Sequence, residues 1–275
     1  MAATEAFAPA KLNLTLHVTG QRADGYHLLD SLVVFADVGD RLTLTPGPAM
    51  RIDLSGPFAT GVPTDARNLV WRAAEAAAWC GHIALEKNLP HGAGIGGGSS
   101  DAAAVLRAIA GRGAGADVAL SLGADVPVCL SGAPQRMQGV GERLSPVPDV
   151  PALDLVLVNP GAHVATPDVF RAMDRRDNPA MDVCGAWPDR GAFLRWLLDQ
   201  RNDLQEPACG IAPAIRDALA ALKDAELSRM SGSGATCFGI YPDEVAAKTA
   251  AQEIAARHPG WWVVATRTSA SPKVS

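Results

Sequence analysis

Three features of the chain carry residue types suited to chemistry on a phosphate group: a lysine, a glycine-rich loop and an aspartate. Lys11 stands near the N-terminus, five glycines fall between residues 92 and 98, and Asp125 follows in the segment GADVP. Glycine permits positive φ and lets a ligand approach the main chain closely. Because Ser and Asp followed by alanines predict a helix start, the loop would also offer unpaired N–H groups and a positive dipole end. The loop therefore predicts a phosphate-binding site.

Taken singly, the side chains around this loop have ordinary structural explanations. A lysine at a strand start is usually solvated, and an aspartate in a turn usually bonds to its own backbone. Tyr26 and His27 follow the Asp24-Gly25 turn, where aromatic residues serve packing and ligand binding about equally. Whether these residues are structural or functional depends on the secondary-structure elements that position them.

Before the loop, the pattern is mainly that of strands. Leu12, Leu14, Leu16 and Val18 alternate with other residues, which predicts a half-buried strand with Lys11 and Asn13 on its opposite face. The remaining predicted elements are strands at 32–35, 42–44, 51–54 and 82–88, and a helix at 69–79 that Thr64 or Asp65 caps.

After the loop, we predict a helix that opens at Ser99 or Ser100 and ends near Gly111, and a short helix at 117–122. We predict a turn at residues 123–127, which leads into a strand at 128–130. Because Val126 precedes a proline, we expect it outside the α region, which would hold Asp125 on extended or turn backbone.

The segment SPVPDVP, residues 145–151, is the best candidate for a linker because it holds three prolines. It divides the chain into an expected N-terminal domain, residues 1–148, and a C-terminal domain, residues 149–275. The elements predicted beyond it are a buried strand at 153–159, helices at 167–173, 190–200, 213–224 and 243–258, a second glycine turn entering a strand within 228–241, and a closing strand at 261–267.

Composition limits the class of protein. The chain has 275 residues, 48% hydrophobic and 19% charged, so we expect a globular fold. The net charge of −5 argues against nucleic acid or a membrane as the main partner. The N-terminus has no signal-peptide pattern and no apolar run is long enough to span a bilayer, so we expect a cytoplasmic protein.

The cysteines are scattered, without the spacing of a metal site. We interpret all of them as small buried apolar residues in a reducing compartment. They are Cys80, Cys129, Cys184, Cys209 and Cys237.

Two common phosphate loops fit the glycine segment poorly. A Walker A loop requires Lys after its last glycine, where this chain has Ser99. A dinucleotide-binding G-x-G-x-x-G runs from Gly92 to Gly97, with Asp117 at a suitable distance. However, the strand before it is amphipathic, and Pro90 stands where that motif needs a tight turn.

A longer pattern, P-x-x-x-G-x-G-G-G-S-S-D-A-A from Pro90 to Ala103, resembles the ATP loop of the GHMP kinases. Its three consecutive glycines resemble the branch that acts on 4-diphosphocytidyl-2-C-methyl-D-erythritol. Four further segments resemble that branch and occur in the expected order, so a chance match of all of them is negligible. They are residues 9–32, 122–128, 160–170 and 231–235.

The resemblance implies an α+β, two-lobed GHMP kinase fold. An N-terminal α/β lobe would carry the loop, a C-terminal ferredoxin-like lobe would carry substrate residues, and the active cleft would lie between them. The implied activity is ATP-dependent phosphorylation of the 2-hydroxyl of the cytidyl substrate, in the non-mevalonate route to isoprenoids. ATP and Mg²⁺ would be the cofactors. The implied partner is a small cytidyl diphosphate sugar-alcohol, bound by a monomer or weak homodimer.

Site residues transfer by resemblance, position by position. Lys11 and Asp125 would be catalytic: Asp125 accepts or orients the proton of the attacking hydroxyl, and Lys11 stabilises the developing charge. Protein ligands of Mg²⁺ stay open, although Ser99 or Ser100 would be near enough to help. The residues implied to bind ATP are Pro90, His91, Gly92, Ala93, Gly94, Ile95, Gly96, Gly97, Gly98, Ser99 and Ser100.

In the family, the cytosine lies between aromatic side chains. The resemblance assigns that role to Tyr26 and Phe170, with His27 contacting polar edges of the base by main chain and ring. Asn13 and Thr166 would contact the sugar-like or diphosphate portion. No site residue is assigned in 135–141 or 175–188, which match the family poorly.

Three alternatives stay open. The chain could be a homoserine- or mevalonate-type GHMP kinase, against which the segment DGYH, residues 24–27, argues. It could be a non-catalytic nucleotide-binding protein of the same fold, although Lys11 and Asp125 are both present. It could also be a dinucleotide-dependent oxidoreductase, which titration with NADH would exclude.

Overall fold

A computed structural model describes residues 2–110, 115–182, 185 and 187–269. By contact, the described residues form two compact units that interleave along the chain. The first unit comprises Met1–Lys11, Val38–His91 and Gly96–Gly132; the second comprises Leu12–Asp37, Gly92–Ile95 and Ala133–Ser275. The predicted domain boundary between residues 148 and 149 stays a prediction.

The described residues form runs of strands and runs of helices. In chain order they are β1 (Thr4–Asn13), β2 (His17–Gln21), β3 (His27–Pro46), β4 (Arg51–Ser55), α1 (Leu69–Ala76), β5 (Gly81–Glu86), α2 (Gly97–Ala110), α3 (Ala116–Leu122), α4 (Val126–Ser131), β6 (Gln135–Gly139), β7 (Arg143–Pro146), β8 (Asp154–Asn159), α5 (Thr166–Arg171), α6 (Arg190–Leu198), α7 (Gln205–Ile211), α8 (Ala214–Ala221), β9 (Leu227–Met230), β10 (Cys237–Tyr241), α9 (Glu244–Arg257) and β11 (Trp262–Arg267).

The first unit packs helices against strands. β5 pairs antiparallel with the C-terminal part of β3 and parallel with β4. β1 pairs with β3, and Gly39 allows this approach, because a Cβ there would lie 2.2 Å from the carbonyl oxygen of Ala8. Helix α2 packs against α1 and α4, and its Ala102, Val105 and Leu106 are buried. This core holds the start of α2 in place.

The second unit contains a four-stranded sheet in the order β11-β8-β10-β9, with antiparallel neighbours. Helices α5–α8 connect β8 to β9, and α9 connects β10 to β11. This connectivity and strand order are those of the expected ferredoxin-like lobe. In the same unit, β2 and β6 pair antiparallel with the N-terminal part of β3, and β7 pairs with β6.

The strands near the N-terminus differ from the prediction. β3 is one strand of 20 residues, whereas two strands at 32–35 and 42–44 were expected. The polar residues between these two segments do not interrupt β3, because the carboxylate of Asp40 is buried and both of its oxygens accept hydrogen bonds. The predicted half-buried strand is also wrong, since Lys11 and Asn13 are as buried as the leucines beside them.

The segment after Asp125 is a helix rather than the expected strand at 128–130. α4 begins at Val126, so the expectation that Val126 avoids the α region is wrong. Pro127 lies in the first turn, where its missing N–H has no intrahelical partner to lose and its fixed φ suits a helix. Asp125 therefore stands at a helix start.

Other boundaries shift by a few residues. Asn68, whose side chain accepts from the N–H of Val70, caps α1 instead of Thr64 or Asp65. Helix α2 begins at Gly97, ahead of the predicted Ser99 or Ser100. Its expected end near Gly111 lies outside the described residues, and β6, β7 and α7 were not predicted.

Cys129, Cys209 and Cys237 are buried thiols, as expected, but Cys80 is exposed, and Cys184 lies outside the described residues. Among the helices that the structure describes, none has the length and apolar character needed to cross a membrane.

Candidate active site

The first unit brings the lysine and the aspartate together. Lys11 Nζ lies 2.9 Å from Asp125 Oδ2. The lysine side chain is 5% exposed, whereas the aspartate side chain is 36% exposed. A buried ammonium thus holds a carboxylate that a ligand can reach.

Asp125 occupies the N-cap position of α4, where an aspartate normally accepts an N–H of the first turn. Its backbone is in the α region, with φ −88° and ψ −10°, and its side chain makes no capping hydrogen bond within the described structure. Because the carboxylate turns to Lys11 instead, it is available for chemistry.

The glycine loop meets Lys11 at Gly96. This residue has φ +65°, and a Cβ on it would lie 3.1 Å from Lys11 Cβ and 3.3 Å from Lys11 Cε. The N–H of Ser100 donates to the carbonyl of Gly96, so the first helical turn starts here. The N–H groups of a first turn have no intrahelical acceptor. The start of α2 therefore places anion-binding groups beside the Lys11 side chain.

The two serines of the motif differ in environment. Ser100 is fully buried, and its hydroxyl donates to the carbonyl of Pro9 at 2.7 Å. Ser99 is half-buried. Among the described residues, no group of three or more His, Cys, Asp or Glu side chains is arranged to hold a metal ion.

Two further loop residues lie in the first unit. Pro90 is half-buried. The exposed ring of His91 packs edge-to-face with Phe58, with centroids 6.3 Å apart.

Residues 92–95 belong to the second unit, where they pack on the second glycine turn. Ser231 Oγ donates to the carbonyl of Gly94 at 3.0 Å, and the N–H of Thr236 donates to the carbonyl of Ala93 at 3.1 Å. A Cβ on Gly94 would lie 2.4 Å from the carbonyl oxygen of Ser231. The two glycine motifs are thus neighbours, and only glycine fits between them. Gly92 lies beside the ring of His163, and Ile95 is buried.

Asn13 is a buried amide with one unused acceptor. Its Nδ2 donates to Ser31 Oγ at 2.8 Å, and its backbone N–H donates to Ser231 Oγ at 3.1 Å. Its Oδ1 has no hydrogen-bond partner among the described residues. An unpaired buried acceptor is costly, so a ligand hydroxyl that donated to it would be favoured.

The aromatic residues of the second unit form a stack. The rings of His27 and Phe170 lie 4.3 Å apart and 16° from parallel, so His27 covers one face of Phe170. Burial, and then the charge of Arg176, lower the pKa of His27, so its imidazole is uncharged at neutral pH. Its Nε2 has no partner within the described residues. Tyr26 is 65% exposed.

Thr166 begins α5, and its hydroxyl lies 2.7 Å from Ser233 Oγ. It therefore joins α5 to the second glycine turn. The placement of Tyr26 and Phe170 on either side of a base stays a prediction.

One group of charged residues was missed by the sequence analysis. Lys87 contacts both Asp40 and Asp101 in the first unit, at 2.6 Å from Asp101 Oδ2, and all three are buried. We call these three residues the charge cluster. The signal available in the sequence was the lysine three positions before Pro90 and the aspartate directly after the paired serines.

Comparison with known proteins gives two family matches. The pattern described as the GHMP kinases N-terminal domain matches residues 68–133, and the one described as the GHMP kinases C-terminal matches residues 185–260. The chain is 56% identical over 270 residues to the 4-diphosphocytidyl-2-C-methyl-D-erythritol kinase of Dinoroseobacter shibae, covering 94% of this chain and 93% of that protein. It is 54% identical over 262 residues to the kinase of that name from Paracoccus denitrificans, covering 94% of each.

Solved structures agree. A crystal structure of 4-(cytidine 5'-diphospho)-2C-methyl-D-erythritol kinase matches with a TM-score of 0.77 at 35% identity, over 96% of this chain and 99% of that one. Homoserine kinase from Cytophaga hutchinsonii matches with a TM-score of 0.67 at 18% identity, over 99% of this chain and 96% of that one. The second likeness concerns the fold alone.

Proposed function

The chain belongs to the GHMP kinases, and we propose that it transfers the γ-phosphoryl group of ATP to the 2-hydroxyl of 4-diphosphocytidyl-2-C-methyl-D-erythritol, the cytidyl substrate. The observation that carries the proposed site is the Lys11–Asp125 pair beside the first turn of α2. The near-full-length identity to kinases of this name supports the choice of substrate.

The proposed chemistry is phosphoryl transfer, in which the protein mainly positions groups and stabilises charge. The N–H groups at the start of α2 bind phosphate oxygens. As the bond between the substrate oxygen and the γ-phosphorus forms, the bond to the leaving oxygen of ADP breaks. Asp125 takes the hydroxyl proton, and the ammonium of Lys11 stabilises the negative charge on the transferring group.

Mg²⁺ is the proposed metal cofactor, and when bound it neutralises charge on the ATP phosphates. Ser99 is the candidate protein ligand, because Ser100 is buried and its hydroxyl donates to Pro9. Phosphate oxygens and waters would complete the coordination.

Recognition of the cytidyl portion is assigned to the second unit. The exposed ring of Tyr26 and the partly buried ring of Phe170 are proposed to stack on the cytosine, while the uncharged His27 contacts its polar edge. The free Oδ1 of Asn13 is proposed to accept from a substrate hydroxyl, and Thr166 to contact the diphosphate or sugar-like portion. We further propose that the enzyme acts in the cytoplasm as a monomer or weak homodimer.

The activity is tested by ADP release from Mg·ATP with three alcohols: the cytidyl substrate, homoserine and mevalonate. We expect release with the cytidyl substrate alone. Release with homoserine or mevalonate instead would assign the chain to another GHMP kinase type. ATP binding without release from any alcohol would indicate a non-catalytic protein.

The cytosine site is tested by Tyr26→Ala and Phe170→Ala. Since stacking contributes about 1–3 kcal/mol per base, we expect KM for the cytidyl substrate to rise about fivefold to a hundredfold. KM for ATP is the internal control and should stay unchanged. Equal rises in both constants would show that these rings do not form the cytosine site.

A further inference from the structure

The charge cluster lies next to the first residue of α2. A Cβ on Gly97 would lie 3.7 Å from Lys87 Nζ and 3.8 Å from Asp40 Oδ2. Lys87 follows the end of β5, Asp40 lies on β3, and Asp101 lies on α2. The ammonium of Lys87 therefore ties a strand to the helix that begins at the glycine loop.

The same cluster holds the chain that enters the loop. Asp40 Oδ1 accepts the N–H of Asn88 at 2.5 Å and the N–H of Leu89 at 2.9 Å. These two residues directly precede Pro90. One oxygen of the Asp40 carboxylate thus holds the residues that enter the loop. Its other oxygen accepts from Lys87, which also contacts Asp101 in the helix that leaves the loop.

Burial of its charged side chains gives the cluster a large cost in desolvation free energy. Lys87, Asp40 and Asp101 are each at most 3% exposed, and Asp101 Oδ1 has no partner among the described residues. Removing charges from water costs several kcal/mol per ion, and apolar residues of similar volume often give equal or greater stability. Stability alone is therefore a weak reason for two carboxylates and one ammonium at this place.

We propose that Asp40, Lys87 and Asp101 are positioning residues for the nucleotide: they hold the entry and the exit of the glycine loop at a fixed separation, so that the first turn of α2 meets the ATP phosphates. The inference rests on the proposed function, because it takes the loop to bind ATP. The cluster acts through the backbone of the loop and does not itself contact the substrate.

The test compares two substitutions at Asp101. Asp101→Ala removes the contact with Lys87, whereas Asp101→Asn keeps an oxygen acceptor of similar size. A hydrogen bond between charged groups contributes about 1.5–3 kcal/mol, so we expect Asp101→Ala to raise KM for ATP and Kd for ADP about tenfold or more. Asp101→Asn should recover most of this loss but leave Kd for ADP about two- to threefold above the wild-type value, because its neutral amide forms a weaker hydrogen bond with Lys87 than a carboxylate does. KM for the cytidyl substrate should stay within about twofold in both.

Asp30→Asn is the matched control. Asp30 is equally buried and pairs with Arg136 at 2.6 and 2.8 Å, and both residues belong to the second unit. We expect it to lower Tm without raising KM for ATP.

Three results would overturn the proposal: a fall in Tm in Asp101→Ala with no change in KM for ATP, equal rises in KM for both substrates, or an equal rise in KM for ATP in Asp30→Asn. Should Asp101→Ala fail to fold, the isosteric Asp101→Asn must still show a raised Kd for ADP, and a wild-type value there would count against the proposal. Because ADP binding is measured directly, absence of turnover in the wild type would refute the proposed function and leave this test intact.

Discussion

The first unit contains two lysine–aspartate groups that look alike in residue type and differ in access. In one, Lys11 contacts Asp125, whose side chain is 36% exposed. In the other, Lys87 contacts Asp40 and Asp101, which are both sealed from solvent. A proton acceptor must reach the hydroxyl that it serves, and only Asp125 can do so. Access, rather than charge or distance, distinguishes the proposed reacting pair from the proposed positioning group.

The two groups also differ in the number of carboxylates that surround the lysine. Lys11 faces one carboxylate, whereas Lys87 faces two. Burial, together with the neighbouring charge of Asp40, raises the pKa of Asp101 to about 7, against the pull of Lys87 toward the ionised form. The sealed group is therefore the one whose charge depends on pH near neutrality.

The largest effect should come from one substitution made in both groups. Asp125→Asn removes the proton acceptor, so we expect kcat to fall about a hundredfold to ten-thousandfold, whereas Asp101→Asn should change kcat only a few-fold. Steady-state kinetics with both substrates, and Tm as a measure of folding, give the comparison. Near-normal kcat in Asp125→Asn would refute its assignment as the base.

The second comparison removes the two ammonium groups. Lys87→Met leaves two buried carboxylates without a cation, which should lower the free energy of unfolding by about 3–5 kcal/mol. Lys11→Met leaves a carboxylate that can be solvated, so its cost should be about 1 kcal/mol or less, although turnover should be largely lost. Urea unfolding measures both. Equal losses of stability would mean that Asp125 is no more accessible than Asp101 in solution.

The smallest effect is a dependence of stability on pH. Because the pKa of Asp101 is raised in the folded protein, the folded state binds this proton more tightly than the unfolded chain. Its contribution to stability is present below about pH 4 and is lost as pH rises through about 7. Between about pH 5 and pH 8, the wild type should lose about 2–3 kcal/mol relative to Asp101→Asn, which does not titrate.

Urea unfolding at these two pH values measures the difference. A constant gap between wild type and variant would show that Asp101 stays in one protonation state over this range.

The motifs single out Lys11 and Asp125, which the structure brings into contact, but the elements that carry these residues were predicted less well. Lys11 and Asp125 were found through the motifs around them, yet Lys11 was expected on a half-buried strand and Asp125 before a strand. Alternation fails at the end of β1 because residues 10–13 are all buried, so both faces of the strand are covered there. Helix α4 was missed because a proline in the first turn reads locally like a turn.

The charge cluster could not be predicted in this way. Asp40 and Asp101 lie 47 and 14 positions from Lys87, and each residue type is usually solvated. Only the fold brings the three together under the loop. Asp101 lies within the loop motif, but no motif marks Asp40 or Lys87, and nothing in the sequence links the three residues to one another.

The unused capping position of Asp125 has a consequence for protein engineering. A side chain that caps a helix start contributes about 0.5–2 kcal/mol, and α4 forgoes this because its carboxylate faces Lys11. Serine or threonine at position 125 would supply the cap once the backbone there leaves the α region for the extended geometry of a capping residue. A screen that selects variants of this chain for heat resistance alone would therefore favour replacing the residue that is proposed to accept the substrate proton.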